Sequence, residues 1–517
     1  MLLLPNLSTI GLSNAWELDA RSLLLASLWV CLFLYCMIPR RWFLIVTYPI
    51  IVAGIVVLGA DLQRSVNVLD LLAVSYTFGR DEVLDAVRPY LFTLALISVA
   101  VLMPIFMLWR GDRLPGISTA SRLGVVFSGA ALVIALPNTV WLNAWPVDLL
   151  AAALEANSQE IGIELPRTAN LRFSPRDRFR TWKGSRKNTP SEAETYVFLI
   201  GESVRSDRIN GCGGRSRITA PSPDSILYCD VLSGSSNTHT AVPLLISREL
   251  PGHKERISSD STFLNAFEAL GFESFWFAVQ ERPIAWPDAK NQFFGSPGPL
   301  DRDTLLPLLE QALGKPNARK IIVLHAYNAH SPYPDRYRVE AAPFAVNRKV
   351  VDFQLPTESF IGEWWNAYDN AIDESMRFMN DILERLRAER GQVFFVFTPD
   401  HGENMRDDQR NLLQHALKFP TKWDTRVPAV IWANPLWRQA HPDKWRTLEL
   451  NKGMSLMHMD FVPTILGAAE IEYEEHRSLP VDLTSRVAGP RTRITQVRAG
   501  DTIDTVALER EARASEF

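Results

Sequence analysis

The sequence lacks two features that would direct the interpretation elsewhere. Lysine and arginine (54 residues) are outnumbered by aspartate and glutamate (58), for a formal net charge of −4 at pH 7. A nucleic-acid-binding chain usually carries a basic excess, so we expect no nucleic-acid partner. Long apolar runs are scarce after about residue 150, although 47% of the chain is hydrophobic. This imbalance indicates a membrane part followed by a soluble part, and 517 residues suffice for both.

Four apolar runs before residue 150 approach the roughly 20 residues that a helix needs to span a bilayer. They cover residues 22–38, 42–60, 90–108 and 123–142. A cleaved signal peptide is the competing interpretation of the first run. Glu17 and Asp19 precede that run instead of a basic segment, and a second run follows almost at once, so we favour a membrane helix.

Basic residues in the short loops predict the orientation of these spans. Arg40 and Arg41 lie between the first two runs, and Arg110, Arg113 and Arg122 lie between the last two. Loops rich in arginine usually face the cytoplasm, so everything after about residue 143 should lie on the other side. We therefore predict a membrane protein whose carboxyl-terminal domain is exported.

We divide the chain into a helical transmembrane domain (1–144), a linker (145–194) and a soluble domain (195–517). The linker carries a basic stretch, 172–187, which either runs along anionic head groups or is a solvated connector. In the soluble domain, short apolar strands alternate with helices, which predicts a sheet with helices on both faces. Predicted strands lie at 196–200, 274–279, 320–325, 392–397 and 426–432, and predicted helices at 263–270, 303–313, 361–387 and 460–468.

Three of the predicted strands end in side chains that can bind metal. Glu202 follows the first, His325 and then His330 the third, and Asp400 with His401 the fourth. Open α/β sheets place their ligands at the carboxyl ends of strands, and mixed oxygen and nitrogen donors suit zinc or a similar divalent ion. A single Asp-His pair would more often be an ordinary turn. The repetition at several strand ends favours a metal site.

Other segments supply the remaining parts of a catalytic site. A hydroxyl-rich stretch, 233–243, lies between the first two of these strand ends, and His415 follows the last. A metal held by Glu202, Asp400 and His401 would lower the pKa of a coordinated hydroxyl and so create a nucleophile. A second metal, or a phosphate held by His330 and His415, would stabilise developing charge.

These motifs, in this order, resemble the membrane-bound phosphoethanolamine transferases of the alkaline phosphatase/sulfatase superfamily. With the membrane helices, the resemblance covers almost the whole chain. The matching segments are 197–203 (VFLIGES), 238–243 (THTAVP), 325–332 (HAYNAHSP), 368–370 (YDN), 398–403 (TPDHGE), His415 and 426–428 (RVP).

The resemblance implies a role for each matched side chain. Glu202, Thr238, Asp400 and His401 look like ligands of one zinc ion, with Thr238 also the nucleophile; Thr240 is a second candidate. His330, His415, Glu403 and Gln280 look like residues that bind the substrate or a second zinc. By the same resemblance, Tyr368 and its neighbours support the site without taking part in catalysis.

The implied reaction moves phosphoethanolamine from phosphatidylethanolamine, through a phospho-threonine intermediate, to a lipopolysaccharide or another periplasmic glycan. One alternative is another superfamily activity: a sulfatase, a phosphodiesterase or a glycerol-phosphate transferase. The other is a non-catalytic membrane-anchored binding or sensing protein. In an oxidising compartment, Cys212 and Cys229 of the exported domain would form a disulfide.

Overall fold

The computed structural model describes residues 182–187, 192–252, 262–280, 289–295, 300–327, 329–353, 359–415, 420–473, 480–498 and 501–515. The predicted membrane spans and most of the linker lie outside these residues. Within the described ranges, no helix combines the length and the apolar character that crossing a bilayer requires.

The described residues form twelve strands, and eight of these make one central sheet. Its order is β10-β2-β9-β6-β1-β5-β3-β4, with β1, β3, β4, β5 and β6 mutually parallel and β9 antiparallel to both its neighbours. The strands are β1 (Glu194–Gly201), β2 (Ile226–Leu232), β3 (Glu273–Ala278), β4 (Asn291–Phe294), β5 (Arg319–His325), β6 (Gln392–Pro399), β7 (Asn404–Met405), β8 (Leu413–Gln414), β9 (Arg426–Ala433), β10 (Leu456–Met457), β11 (Ile494–Arg498) and β12 (Asp501–Asp504).

Helices cover both faces of the sheet, as the alternating pattern predicts. They are α1 (Thr238–Ile246), α2 (Leu264–Glu268), α3 (Asp301–Leu313), α4 (Arg348–Phe353), α5 (Ile361–Arg387), α6 (Lys422–Thr425), α7 (Pro435–Ala440), α8 (Pro442–Leu450), α9 (Phe461–Ala468) and α10 (Thr505–Ala514). Short 3₁₀ turns lie at Ser206–Arg208, Tyr333–Asp335, Val339–Ala341, Asn451–Gly453 and His458–Asp460.

Strand β1 shows why two cores form. All of its residues are buried, and successive side chains point to opposite faces of the sheet. Tyr196 and Phe198 pack into the core shared with α1, α2 and α9, whereas Val197 and Leu199 pack into the core shared with α3 and α5. A near-continuous apolar run is what a strand covered on both faces requires.

The register of the parallel strands brings the predicted site residues to one edge. Ile200 of β1 pairs with His325 of β5, and Gly201 pairs with Pro399 of β6. The residues that follow β1 and β6, Glu202 and Asp400, therefore emerge side by side.

The elements predicted from the sequence are present, with most boundaries shifted by one or two residues. Helix α5 has the predicted bounds, α3 begins earlier than predicted, and α9 begins one residue later. The prediction missed helix α1, which contains most of the hydroxyl-rich stretch, and strand β2.

Two peripheral segments are connected to the rest of the domain by further contacts. Ser185, near the end of the predicted linker, exchanges backbone hydrogen bonds of 2.8 Å with Glu472, and the Trp182 ring lies 5.2 Å from that of Tyr473. Cys212 and Cys229 form the predicted disulfide, with Cα atoms 5.4 Å apart. It ties the loop after β1 to strand β2.

Candidate metal centre

Three buried side chains converge beyond the carboxyl ends of β1 and β6. His401 Nε2 lies 3.2 Å from Glu202 Oε1 and 3.4 Å from Asp400 Oδ2. Glu202 also belongs to a second group, with His330 and His415, and in each group the potential ligand atoms lie within 4.8 Å of one another. The two groups share one carboxylate.

Hydrogen bonds to the outer ring nitrogens orient the three histidines. The Nδ1 atoms of His401 and His330 lie 2.8 Å and 2.6 Å from the carbonyl oxygens of Gly402 and Ser331. His415 Nδ1 lies 3.2 Å from Glu403 Oε1. A carbonyl oxygen only accepts hydrogen bonds, so we assign the proton of His401 and of His330 to Nδ1, which leaves Nε2 with a lone pair that can bind metal. An ionised Glu403 would select the same tautomer of His415.

When no cation is bound, Glu202, Asp400 and His401 shift one another's pKa values. Burial opposes ionisation of Glu202, but the charge of His401 and the other two histidines holds its pKa well below the usual range. Burial and the charge of Glu202 raise the pKa of Asp400 well above its usual range. Burial disfavours charged His401, yet Asp400 and Glu202 outweigh it and raise its pKa to about 10.

One atom of this cluster tests directly whether a metal fits. Asp400 Oδ2 is buried and has no hydrogen-bond partner among the described residues. A carboxylate oxygen withdrawn from water needs a donor or a cation. Two carboxylates and an imidazole nitrogen are a donor set that zinc accepts, so the residues fit this ion.

Thr238 completes the same cluster. It is the first residue of α1, because the side chain of Asn237 accepts the Thr240 N–H at 3.0 Å and caps the helix. Thr238 Oγ1 lies 3.1 Å from Glu202 Oε2 and 3.3 Å from His401 Nε2. The structure thus places Thr238 against the ligand atoms, while the backbone of Thr240 serves the cap.

The other predicted side chains lie around this cluster. Gln280 Nε2 donates to Glu202 Oε2 at 2.9 Å and to the Ala326 carbonyl at 2.8 Å. Glu403 is fully buried beneath His415, and burial raises its pKa to about 8. All eight residues predicted for the site are therefore connected by contacts. His325 belongs to neither ligand group and packs edge-to-face on Trp276, with ring centroids 6.1 Å apart.

Ser203 is a site residue that the sequence interpretation missed. It adopts φ +57°, a left-handed conformation that is uncommon outside glycine. Its N–H donates to Asp400 Oδ1 at 3.3 Å, and its hydroxyl donates to Glu202 Oε1 at 3.0 Å. The Tyr368 hydroxyl donates to the Ser203 carbonyl at 2.6 Å, which agrees with the supporting role expected of Tyr368. The sequence signals for Ser203 were its position directly after Glu202 and its place at the end of the matching segment 197–203.

The glycine between His401 and Glu403 is required by close packing. A Cβ atom on Gly402 would lie 2.2 Å from the main-chain oxygen of Trp423. The Gly402 N–H also donates to the Asp424 carbonyl at 2.9 Å. Any side chain at this position would displace the strand end that carries Asp400 and His401.

Comparison with known proteins places this geometry among related enzymes. The sulfatase family profile matches residues 194–471. The phosphoethanolamine transferase EptC of Escherichia coli strain K12 is 24% identical over 275 residues, which are 49% of this chain and 47% of that protein. The chain thus spans about half the length of the curated relatives that it matches in this way.

Two solved structures share the fold. The carboxyl-terminal periplasmic domain of Escherichia coli EptC, in a complex with zinc, matches with a TM-score of 0.55 and 19% identity, covering 65% of this chain and 99% of that one. The integral membrane protein lipooligosaccharide phosphoethanolamine transferase A of Neisseria meningitidis matches with a TM-score of 0.65 and 16% identity, covering 91% and 92%.

Proposed function

The chain belongs to the sulfatase family, and we propose that it is a zinc-dependent, membrane-anchored phosphoethanolamine transferase. The donor is phosphatidylethanolamine, and the acceptor is a lipopolysaccharide or another periplasmic glycan. The similarity to phosphoethanolamine transferases supports this class of reaction. The observation that carries the proposal is the position of the Thr238 hydroxyl, 3.1 Å from a Glu202 oxygen within the zinc-type ligand cluster.

Thr238 is the proposed nucleophile. A threonine hydroxyl reacts poorly at neutral pH unless a base or a cation favours its alkoxide. Glu202, Asp400, His401 and Thr238 would hold a zinc ion, which would supply that cation. Glu202 and His401 fix the direction of the hydroxyl, and the amino terminus of α1 lies beside the position where phosphoryl charge would develop.

The proposed transfer has two steps. In the first, Thr238 Oγ1 bonds to the phosphorus of the lipid, the bond from phosphorus to the diacylglycerol oxygen breaks, and diacylglycerol leaves with the proton. In the second, an acceptor oxygen bonds to the same phosphorus, the bond from phosphorus to Thr238 Oγ1 breaks, and Thr238 Oγ1 regains a proton from the acceptor. His330 and His415 form a group of potential ligands with Glu202, and there they would hold the phosphoryl oxygens or a second zinc ion.

The covalent step is tested by incubating the protein with phosphatidylethanolamine in the absence of an acceptor. We expect a phosphoethanolamine adduct on the peptide containing Thr238, detected by peptide mass spectrometry. Thr238→Ala should abolish the adduct and leave the other ligands able to bind zinc, whereas Asp400→Ala should remove both zinc and activity. Thr240→Ala is the matched control and should form the adduct.

Other outcomes would redirect the proposal. An adduct on Thr240 or Ser203 would refute the assignment of Thr238 and keep the mechanism. Full transfer by Thr238→Ala with no adduct anywhere would refute covalent catalysis. Hydrolysis of a sulfate ester, with no adduct from the lipid, would instead support the sulfatase alternative. Absence of zinc from the purified protein would favour a non-catalytic role.

The membrane anchor gives a physical reason for a lipid donor, because such a donor is available only at the bilayer surface. We place residues 1–144 in the inner membrane and the catalytic domain in the periplasm, from the arginines that flank the apolar runs. A reporter fused after residue 150 should be periplasmic, and one fused at Arg113 cytoplasmic. A cytoplasmic signal from the first fusion would overturn this localisation.

A further inference from the structure

A further buried histidine, His458, lies behind the candidate metal centre and belongs to neither group of potential ligands. His458 occupies the 3₁₀ turn before α9 and is fully buried. Its Nδ1 accepts the Gly234 N–H at 3.3 Å, and its Nε2 lies 3.4 Å from Thr398 Oγ1. Because Nδ1 accepts, we assign the ring proton to Nε2, which donates to the threonine hydroxyl.

The two partners of His458 belong to the two halves of the site. Gly234 lies four residues before Thr238, in the segment that leads into α1, and Thr398 lies two residues before Asp400 on β6. Thr398 Oγ1 in turn donates to the Pro428 carbonyl at 3.0 Å. The imidazole therefore bridges the nucleophile segment and the ligand segment.

The chemistry of the ring suits this bridge. Only a neutral imidazole accepts at one nitrogen and donates at the other, and burial lowers the pKa of His458 to about 3. The Ser233 hydroxyl, one residue before Gly234, donates a second hydrogen bond between the same two segments, to the Asp400 carbonyl. The Ser235 hydroxyl donates to the Gln496 carbonyl at 3.2 Å, so the nucleophile segment is held at several points.

We propose that His458 is a positioning residue that sets the distance between Thr238 and the ligands Asp400 and His401. Among the described residues, its hydrogen bonds reach Gly234 and Thr398 and none of the proposed ligand side chains, so it acts through the two backbone segments. The inference rests on the proposed function for its activity readout, whereas its zinc-binding readout is independent of the reaction.

Three substitutions separate the two contacts of the ring. His458→Asn places an amide oxygen near the position of Nδ1 and keeps the acceptor for Gly234. His458→Gln places an amide nitrogen near the position of Nε2 and keeps the donor for Thr398. His458→Phe keeps the ring and removes both contacts. His441→Phe is the control, because His441 is half-buried at the opposite end of the sheet, with Nε2 3.0 Å from Gln392 Oε1.

Single-turnover formation of the Thr238 adduct and zinc affinity in a chelator competition are the two measurements. We expect His458→Phe to slow adduct formation by about ten-fold or more at saturating lipid, because a small displacement of a nucleophile is costly. The lipid concentration for half-saturation should not change. The His458→Asn and His458→Gln variants should form the adduct less slowly than His458→Phe. His458→Asn and His458→Phe both lack the hydrogen bond to Thr398, so these two variants should bind zinc a few-fold more weakly than wild type.

The controls keep the outcome decisive. A lower melting temperature with a wild-type adduct rate and wild-type zinc affinity in His458→Phe would overturn the proposal, because packing alone predicts that result. If His458→Phe does not fold, the Asn and Gln variants carry the same comparison. If the wild type forms no adduct, the proposed function fails, and zinc affinity alone then decides: equal zinc affinity in wild type and His458→Asn would overturn the positioning role.

Discussion

The two ends of strand β1 each carry a buried carboxylate, and the two carboxylates differ in their charged partners. Glu194, at its start, is fully buried and receives two hydrogen bonds from Arg186, at 2.8 and 2.7 Å, and one from the Tyr196 hydroxyl at 3.1 Å. Arg319 lies 3.6 Å from the same carboxylate. Glu202, just past the end of the strand, is 1% exposed, and none of its ion pairs or hydrogen bonds within the described residues involves lysine or arginine.

The difference indicates that the carboxyl end of the sheet, and not the amino end, is suited to bind a cation. A carboxylate withdrawn from water must be neutralised by a partner or by a proton. At the amino end of the sheet, two arginines of the chain neutralise Glu194. At the carboxyl end, Glu202 faces a second carboxylate, Asp400, and the compensating charge must come from a bound ion or a shared proton.

The largest effect is expected from Glu202→Gln. Loss of a direct ligand should weaken zinc binding by more than the roughly 10- to 100-fold typical of losing a residue that only orients a ligand. In the zinc-free protein the charge of His401 favours ionised Glu202, so this variant should unfold at a slightly lower urea concentration. Chelator competition and urea unfolding measure the two quantities. The pKa of Asp400 is raised by burial and by the charge of Glu202, so zinc-free Asp400→Asn should instead unfold at an equal or higher urea concentration than wild type. A less stable zinc-free Asp400→Asn protein would contradict the idea that the site is strained by like charges.

The same substitution at the other end, Glu194→Gln, should have the opposite profile. It leaves Arg186 and Arg319 buried or half-buried beside a neutral amide, which should lower the free energy of unfolding by about 3–5 kcal/mol. Zinc affinity per folded molecule should not change. Urea unfolding with and without zinc checks both expectations, and a loss of zinc affinity here would erase the distinction between the two ends.

A smaller effect distinguishes the histidines near the two ends as the pH falls. His458 has a pKa of about 3 in the fold, against about 6.5 when unfolded, so between these values only the unfolded state binds the proton. Stability should therefore fall as the pH drops below about 6.5, by about 1.4 kcal/mol at pH 5.5. Urea unfolding of zinc-free wild type and His458→Asn at pH 7.5 and 5.5 measures this difference. The half-buried His441, replaced in the same way, should show a smaller difference.

The sequence predicted those elements whose pattern depends on neighbouring residues. A short, continuous apolar run predicts β1 and β6 because both faces of these strands are buried, and the ligands follow at the strand ends. The amphipathic period of α5 likewise defines its whole length. For these elements, a few neighbouring residues contain most of the information.

Partnerships between distant residues could not be predicted in this way. Glu194 is neutralised by Arg319, 125 positions away, and His458 contacts Gly234, 224 positions away. Nothing local marks either residue as buried. Thr238 was located by its resemblance to a motif, and its placement at a helix start depends on the Asn237 cap.

The attachment of residues 182–187 has a practical consequence for excising the catalytic domain. The family match begins at residue 194, which would be a natural place to cut. A fragment starting there would lose Arg186, the main counter-ion of Glu194, and would uncover the Tyr473 ring that Trp182 covers. The backbone pairing of Ser185 with Glu472 would also be lost. A well-behaved soluble fragment should therefore start upstream of Trp182.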